Sequence, residues 1–210
     1  MNAITKNDCI LFQGDSITDV GRRDTLDGLG TGYVSIINGL VNCLKPELEL
    51  KILNRGIGGD RTVELLKRWK EDCEDIVPDV LSIKIGVNDV WRILGSWDGQ
   101  TYVNPIEYQA NYRELLDRAL AAGVRQLVLC SPTTIENGTD AQVNALLEER
   151  VSIVKALACE YKAIYVPFAE VQRSLIHSRP EVYWTTDGCH PSSSGHASLA
   201  WTWLKATGFI

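Results

Sequence analysis

Hydrophobic positions along the chain alternate between two patterns. Residues 9–12 are four apolar side chains in a row, the mark of a short strand buried on both faces. Residues 33–44 instead place Tyr33, Ile36, Ile37, Leu40, Val41 and Leu44 at helical spacing, and Pro46 stands just past the end. Residues 50–53 read as a second strand. The glycine-rich turn Asn54-Arg55-Gly56-Ile57-Gly58-Gly59-Asp60 follows, then a helix marked by Thr62, Leu65, Leu66 and Trp69, with Asp60 as its expected cap. Residues 80–85 form a third strand, ended by Gly86-Val87-Asn88-Asp89, and residues 90–103 look irregular. Asn104-Pro105-Ile106-Glu107 carries a cap, a first-position proline and a third-position glutamate, so a helix starts there and runs to Gly123. A fourth strand (127–130), a polar loop (131–140), a helix striped by Val143, Leu146, Leu147, Val151, Val154 and Leu157, and a fifth strand (163–166) come next. Residues 168–177 read as helical and 180–191 do not; a helix rich in Ala, Leu and Trp closes the chain.

Strand and helix alternate five times, which predicts an α/β fold: a five-stranded parallel sheet with helices on both faces. Right-handed crossovers favour the strand order 2-1-3-4-5. In that order strand 1 lies between strands 2 and 3. The turns after these three strands carry Ser16, the Gly56 to Gly59 group and Asn88, so all would crowd one sheet edge with the serine central. A length of 210 residues suits a single domain over 1–210, able to bury roughly 70% of the surface its unfolded form exposes.

Composition narrows the function classes. The chain is 45% hydrophobic and 23% charged, and its net charge of −6, with scattered Lys and Arg, leaves no footprint for nucleic acid or an anionic membrane. No signal-peptide core or membrane span is visible. The six cysteines (Cys9, Cys43, Cys73, Cys130, Cys159 and Cys189) are widely spaced and contain no Cys-x-x-Cys pair; they read as reduced thiols of a cytoplasmic protein.

Ser16 follows the first strand by two residues. There a hydroxyl sits at the carboxyl end of a strand, where open α/β sheets hold ligands. The plainer reading is a turn in which Asp15 and Ser16 cap backbone amides. A serine nucleophile needs a base, and the chain offers His177, His190 and His196. His190 lies three positions after Asp187 in Asp187-Gly188-Cys189-His190-Pro191, an offset that can bring both side chains to one side of a turn. Asp187 would then hold the ring nitrogen that faces away from the serine. His177 and His196, on or near helices, are the alternatives. Donors for an oxyanion are also available: the N–H of Gly59, the Asn88 amide and the Ser16 N–H. The glycines could instead serve only the turn, and Asn88-Asp89 only a helix cap. Asp15, Asp19, Asp24 and Asp27 match no cation-binding loop, and Cys189 beside His190 has no second cluster, so neither metal nor cofactor is expected.

Four blocks, Gly14-Asp15-Ser16-Ile17-Thr18, Asn54-Arg55-Gly56-Ile57-Gly58-Gly59, Gly86-Val87-Asn88-Asp89 and Asp187-Gly188-Cys189-His190, resemble those of the GDSL, or SGNH, hydrolases in order and nearly span the chain. Ile17 replaces the commoner leucine, and Thr18 stands where the Gly-x-Ser-x-Gly elbow of α/β-hydrolases has its second glycine. The resemblance implies a flavodoxin-like three-layer sandwich and ester hydrolysis through an acyl-serine without a metal. It assigns Ser16 as nucleophile, His190 as base oriented by Asp187, and Gly59, Asn88 and the Ser16 amide as the oxyanion hole. Asp19-Val20-Gly21-Arg22, Leu29-Gly30-Thr31-Gly32-Tyr33 and Asn88-Asp89-Val90-Trp91-Arg92 further resemble the signal-less bacterial acetylxylan esterases of that family. That likeness implies acetyl removal from short xylo-oligosaccharides inside the cell by a homo-oligomer. Trp91, Trp97 and Trp184 lie near the expected site, where aromatic faces suit sugar rings; Trp69, Trp201 and Trp203 lie on helices and read as core. Asp15, Tyr33, Trp91 and Trp184 are the expected substrate contacts. A lysophospholipase or thioesterase acting on longer chains, and a non-catalytic flavodoxin-like ligand-binding module, are the rival functions.

Overall fold

Alternate residues of the first strand feed two separate cores. Ile10 and Phe12 join one and Leu11 the other, as the two-residue period of a strand requires. The structure, a computed structural model, describes residues 4–94, 99–134 and 141–210. Its sheet comprises β1 (Cys9–Gly14), β2 (Lys51–Asn54), β3 (Val80–Lys84), β4 (Gln126–Cys130) and β5 (Ile164–Val166). All neighbours pair in parallel, in the order β2-β1-β3-β4-β5. This is the expected flavodoxin-like arrangement, with strand boundaries shifted by one or two residues.

The helices are α1 (Ser16–Asp19), α2 (Tyr33–Leu44), α3 (Thr62–Trp69), α4 (Val87–Trp91), α5 (Pro105–Ala122), α6 (Ala141–Glu160), α7 (Phe168–Ser178) and α8 (Ser193–Ala206). The first core takes Val34, Ile37 and Val41 from α2 and Leu199, Trp203 and Leu204 from α8. The second takes Leu65 and Trp69 from α3 and Tyr108, Tyr112, Leu115 and Leu116 from α5. Helix α6 serves both, through Val143 and Leu147 on one side and Val154 and Leu157 on the other. Among the described residues no helix is long and apolar enough to cross a membrane.

Several local expectations hold and others fail for identifiable reasons. Asn104 caps α5 by accepting from the Glu107 N–H at 3.0 Å, and Gly123 ends that helix at φ +111°. Asp60 does not cap α3. Its carboxylate instead pairs with Arg68 Nε at 2.7 Å, because a charged guanidinium is a stronger partner than a neutral amide. The stretch expected to be irregular begins with α4 and the short turn Arg92–Leu94. Trp97 and positions 135–140 of the polar loop lie outside the described residues. Trp203 is fully buried, whereas Trp201, two residues or about 200° round the helix, is exposed.

Tyr33 corrects the expectation of a substrate contact. It is fully buried in the first core, edge-on to Phe12, with its hydroxyl 3.0 Å from Thr18 Oγ1. Its motif builds the turn into α2, and the first residue of that helix faces inward. His196 of α8 stacks on the same ring, and its Nδ1 accepts the Tyr33 N–H at 3.2 Å, satisfying an amide that the helix start leaves free. Burial holds this imidazole neutral and lowers its pKa from 6.5 to about 4. Protons therefore bind the unfolded chain first, and stability falls as pH drops from about 6.5 toward 4. Burial raises Asp60 and Asp89 to about 6, which acts with the opposite sign in that window. The histidine's share is isolated by His196→Asn: in urea melts, the wild-type stability minus that of the variant should fall by roughly 3 kcal/mol between pH 7 and pH 4. An unchanged difference would show that the ring takes up its proton in the native protein as readily as in the unfolded chain.

Candidate active site

The end of β1 pairs with the end of β3 in the register Gly14 opposite Lys84. A side chain at Gly14 would collide with the Lys84 carbonyl oxygen and with Thr18, so the turn into α1 closes only because this position is bare. Asp15 caps α1 by accepting the Ile17 N–H at 3.0 Å. The Lys84 ammonium lies 3.0 and 3.2 Å from its two carboxylate oxygens, both side chains fully buried. Asp15 borders the cavity described below, but its carboxylate is engaged beneath the turn. It is therefore a foundation for the site at the cavity's edge. A lysine amid the apolar residues of β3 was the sequence signal for a buried partner.

Ser16 is the first residue of α1, so its N–H has no acceptor within the helix. Its Oγ lies 2.8 Å from His190 Nε2. On the far side of the ring, His190 Nδ1 is 2.7 Å from Asp187 Oδ2. Burial pushes the Asp187 carboxyl up, but the backbone N–H of His190, its ring and the Cys189 N–H outweigh this and hold it at about 2. Asp187 is thus a carboxylate that can only accept. Nδ1 carries the proton, and Nε2 offers its lone pair to the serine hydroxyl. Neither alternative histidine competes: His177 is exposed at the end of α7, and His196 is held in the core.

A cavity of about 440 Å³ opens over Ser16 and His190, bordered by Gly58, Gly59, Asn88 and Trp91. The glycine turn is packed directly on α1. A Cβ at Gly56 would stand 2.5 Å from the Asp19 nitrogen, and the Gly58 N–H donates to Asp19 Oδ2 at 3.1 Å. Gly59 adopts φ +84°, the left-handed region that favours glycine. Asn88 sits in the first turn of α4, and its side-chain amide donates to the Asp60 carbonyl at 3.0 Å. That amide nitrogen carries a second hydrogen. Asp15 and Asn88 therefore do hold up local structure, as the plainer readings said, while standing at the site.

Sequence reasoning missed Arg92, a buried cavity residue whose Nη2 donates to the Gly59 carbonyl at 3.4 Å and whose Nε donates to Gln100 Oε1 at 2.9 Å. Its place in the Asn88-to-Arg92 motif was the available signal. Trp184 is a second correction. It is absent from the cavity wall, and its Nε1 donates to the Arg179 carbonyl at 3.0 Å, bracing the loop that carries Asp187 and His190. All six cysteines are unpaired; the Cys189 thiol is buried and pushed up to about 12.

The sequence profile of the GDSL-like lipase/acylhydrolase family matches residues 12–198. The chain belongs to that family. An acetylxylan esterase of Geobacillus stearothermophilus is 35% identical over 210 residues, covering 95% of this chain and 94% of its own. A crystal structure of an acetylxylan esterase from that organism superposes with a TM-score of 0.89 at 31% identity, covering 100% of this chain and 98% of its own. A GDSL-like lipase described as putative, from Parabacteroides merdae, gives 0.90 at 35% identity, covering 99% and 98%. This GDSL-family protein is a carboxylic ester hydrolase.

The Lys84–Asp15 pair generates a direct test. Lys84→Met leaves the Asp15 carboxylate buried without its counter-charge, which typically costs about 3–5 kcal/mol. Denaturant unfolding should show a loss of that size. A loss under about 1 kcal/mol would mean that water or a neighbouring group already satisfies Asp15.

Proposed function

We propose that this hydrolase is a serine esterase that removes acetyl groups from short xylo-oligosaccharides or related sugars through an acyl-serine intermediate. The observation that carries the reading is the continuous chain of contacts from Asp187 through His190 to Ser16, at 2.7 and 2.8 Å, opening into one cavity beside Gly59 and Asn88. His190 Nε2 takes the Ser16 proton as Oγ attacks the ester carbonyl, while Asp187 stabilises the imidazolium. The negative oxygen of the tetrahedral intermediate is met by the N–H groups of Ser16 and Gly59 and by the free amide hydrogen of Asn88. His190 then protonates the departing sugar hydroxyl. Water attacks the acetyl-serine by the same route in reverse, restoring the enzyme.

Support for the acyl group and the sugar comes from relatives. The Geobacillus stearothermophilus protein is named an acetylxylan esterase and, in another description, an acetyl-xylooligosaccharide esterase. Substitutions of a serine, an aspartate and a histidine there are described as catalytic mutants, and that aspartate precedes the histidine by three positions, as Asp187 precedes His190. Trp91, half-buried on the cavity wall, offers the ring face for a pyranose. The same reading places the enzyme in the cytoplasm, with which six unpaired thiols agree, and makes it a homo-oligomer.

Ser16→Ala should abolish both turnover of p-nitrophenyl acetate and covalent labelling by an organophosphonate. Asn88→Ala should lower kcat on the order of 10²–10³-fold, the usual loss for one oxyanion donor. Normal turnover by Asn88→Ala would remove that residue from the oxyanion hole. Across p-nitrophenyl esters from acetate to decanoate, kcat/KM should peak at acetate; a preference for decanoate would end the acetyl reading in favour of a longer-chain acyl hydrolase. Mass spectrometry of acetylated xylo-oligosaccharides incubated with the enzyme should show successive losses of acetyl, and unchanged masses would reject the sugar.

A further inference from the structure

The two oxyanion donors outside the nucleophile turn sit on different elements: Gly59 on the turn before α3, and Asn88 on α4. Their separation is set by whatever fastens the start of α3 to α4. Asp89, the residue after Asn88, is completely buried and does that fastening. Its Oδ1 accepts both the backbone N–H of Thr62 at 3.0 Å and the Thr62 hydroxyl at 2.6 Å. Thr62 is the first residue of α3, so a carboxylate meets an amide that the helix leaves free, at the positive end of its dipole. Asn111 of α5 donates to Thr62 Oγ1 at 3.2 Å, and the Val103 N–H donates to the Asp89 carbonyl at 2.9 Å. On the cavity side, Asn88 donates to the Asp60 carbonyl and Arg92 to the Gly59 carbonyl. Residues 59–62 and 88–92 are thus stitched together at three points.

This arrangement is expensive for a helix cap. Burial pushes the Asp89 carboxyl up to about 6, and its Oδ2 has no hydrogen-bond partner among the described residues. A neutral Ser or Asn beside the helix start would cap it without burying a charge. What Asp89 adds beyond a cap is a short double hydrogen bond, accepted by one side-chain oxygen, between two segments 27 residues apart, one ending in each donor. We propose that Asp89 is a positioning residue for ester hydrolysis: through Thr62 it sets the spacing between the Gly59 N–H and the Asn88 amide so that both reach one oxyanion. The proposal rests on the oxyanion roles given to those two groups above. Misplacement of a donor by about 1 Å is enough to cost 10²-fold in rate, so small shifts at this clamp register in kcat.

The test is steady-state kinetics of the whole chain on p-nitrophenyl acetate, well below the melting temperature of each variant. Asp89→Ala should lower kcat roughly 10- to 100-fold while KM stays within about twofold. Asp89→Asn, which keeps an oxygen for both Thr62 donors, should restore kcat to within about fivefold of wild type. In an Asn88→Ala background, Asp89→Ala should lose more than half of its effect on log kcat, because the donor it aligns is already gone. Should Asp89→Ala not fold, Thr62→Val removes the hydroxyl donation to Asp89, and with it the Asn111 contact, while keeping the backbone bond. It should show the same kcat loss in miniature, about threefold to tenfold, with the same non-additivity. Asn111→Ala, which removes the Asn111 contact alone, should leave kcat within about twofold. Wild-type kcat in Asp89→Ala or Thr62→Val, or losses that add fully to that of Asn88→Ala, would overturn the proposal and leave the oxyanion assignment standing. If Asn88→Ala alone has no effect, the oxyanion assignment itself falls, and this inference with it.

Discussion

A buried ion pair ties the nucleophile to the sheet. Lys84 ends β3, Asp15 starts the turn into α1, and neither side chain reaches solvent. Removing two charges from water costs several kcal/mol per ion, so apolar residues of similar size could fill the space at no loss of stability. What a pair of non-polar side chains cannot supply is a fixed address. Any drift of α1 away from β3 would separate the charges in a low-dielectric interior, where their attraction is largest. Gly14 removes the one obstacle to close approach, and the Ile17 N–H, held by the same carboxylate, sets the first turn of the helix. Ser16 therefore projects from the sheet edge with its position decided by the two residues on either side of it in space.

The scaffold was largely readable because its signals are local. Runs of apolar residues marked the strands, Asn104, Pro105 and Gly123 marked both ends of α5, and alternation of strand and helix predicted the observed order. Ser16, Gly59, Asn88, Asp187 and His190 were readable as types because each follows a strand or lies in a turn, and the structure gathers them around one cavity. The misreadings share a cause. Tyr33, Asp60 and Trp184 are polar or aromatic residues near the site in sequence, and each is engaged by other groups of the protein: Thr18 with Phe12, Arg68 and the Arg179 carbonyl respectively. Nothing in a linear string distinguishes a side chain turned toward the cavity from one turned beneath it.

Environment rather than residue type divides the carboxylates. Asp187 is about half exposed, yet two backbone amides and an imidazole keep it ionised to about pH 2, which suits a group that must remain an acceptor beside a histidine that gains and loses a proton. Asp60 and Asp89 lie under the glycine turn, where burial dominates and raises both to about 6. Asp60 contributes its backbone carbonyl to Asn88 while its side chain anchors α3 through Arg68. The carboxylate that faces solvent is the one next to the chemistry, and those that do not are bound into framework.

The two halves of the site are held by different means. Ser16 belongs to the sheet edge. Asp187 and His190 belong to a loop without helix or strand, 174 positions away from Ser16 in the case of the histidine. That loop is kept in shape by its own short-range bonds: the Thr186 N–H to the His190 carbonyl at 2.7 Å, the Gly188 N–H to Thr185 Oγ1 at 3.1 Å, and the Ser192 N–H to the Trp184 carbonyl at 2.9 Å. Below it, Gly195 lets α8 approach so closely that a side chain there would strike the Trp184 carbonyl. The base is thus placed by local geometry fastened to α8, and the nucleophile by a charge pair fastened to β3. The 2.8 Å contact between them is where these independent supports meet, so disturbance of either one reaches the chemistry without passing through the other.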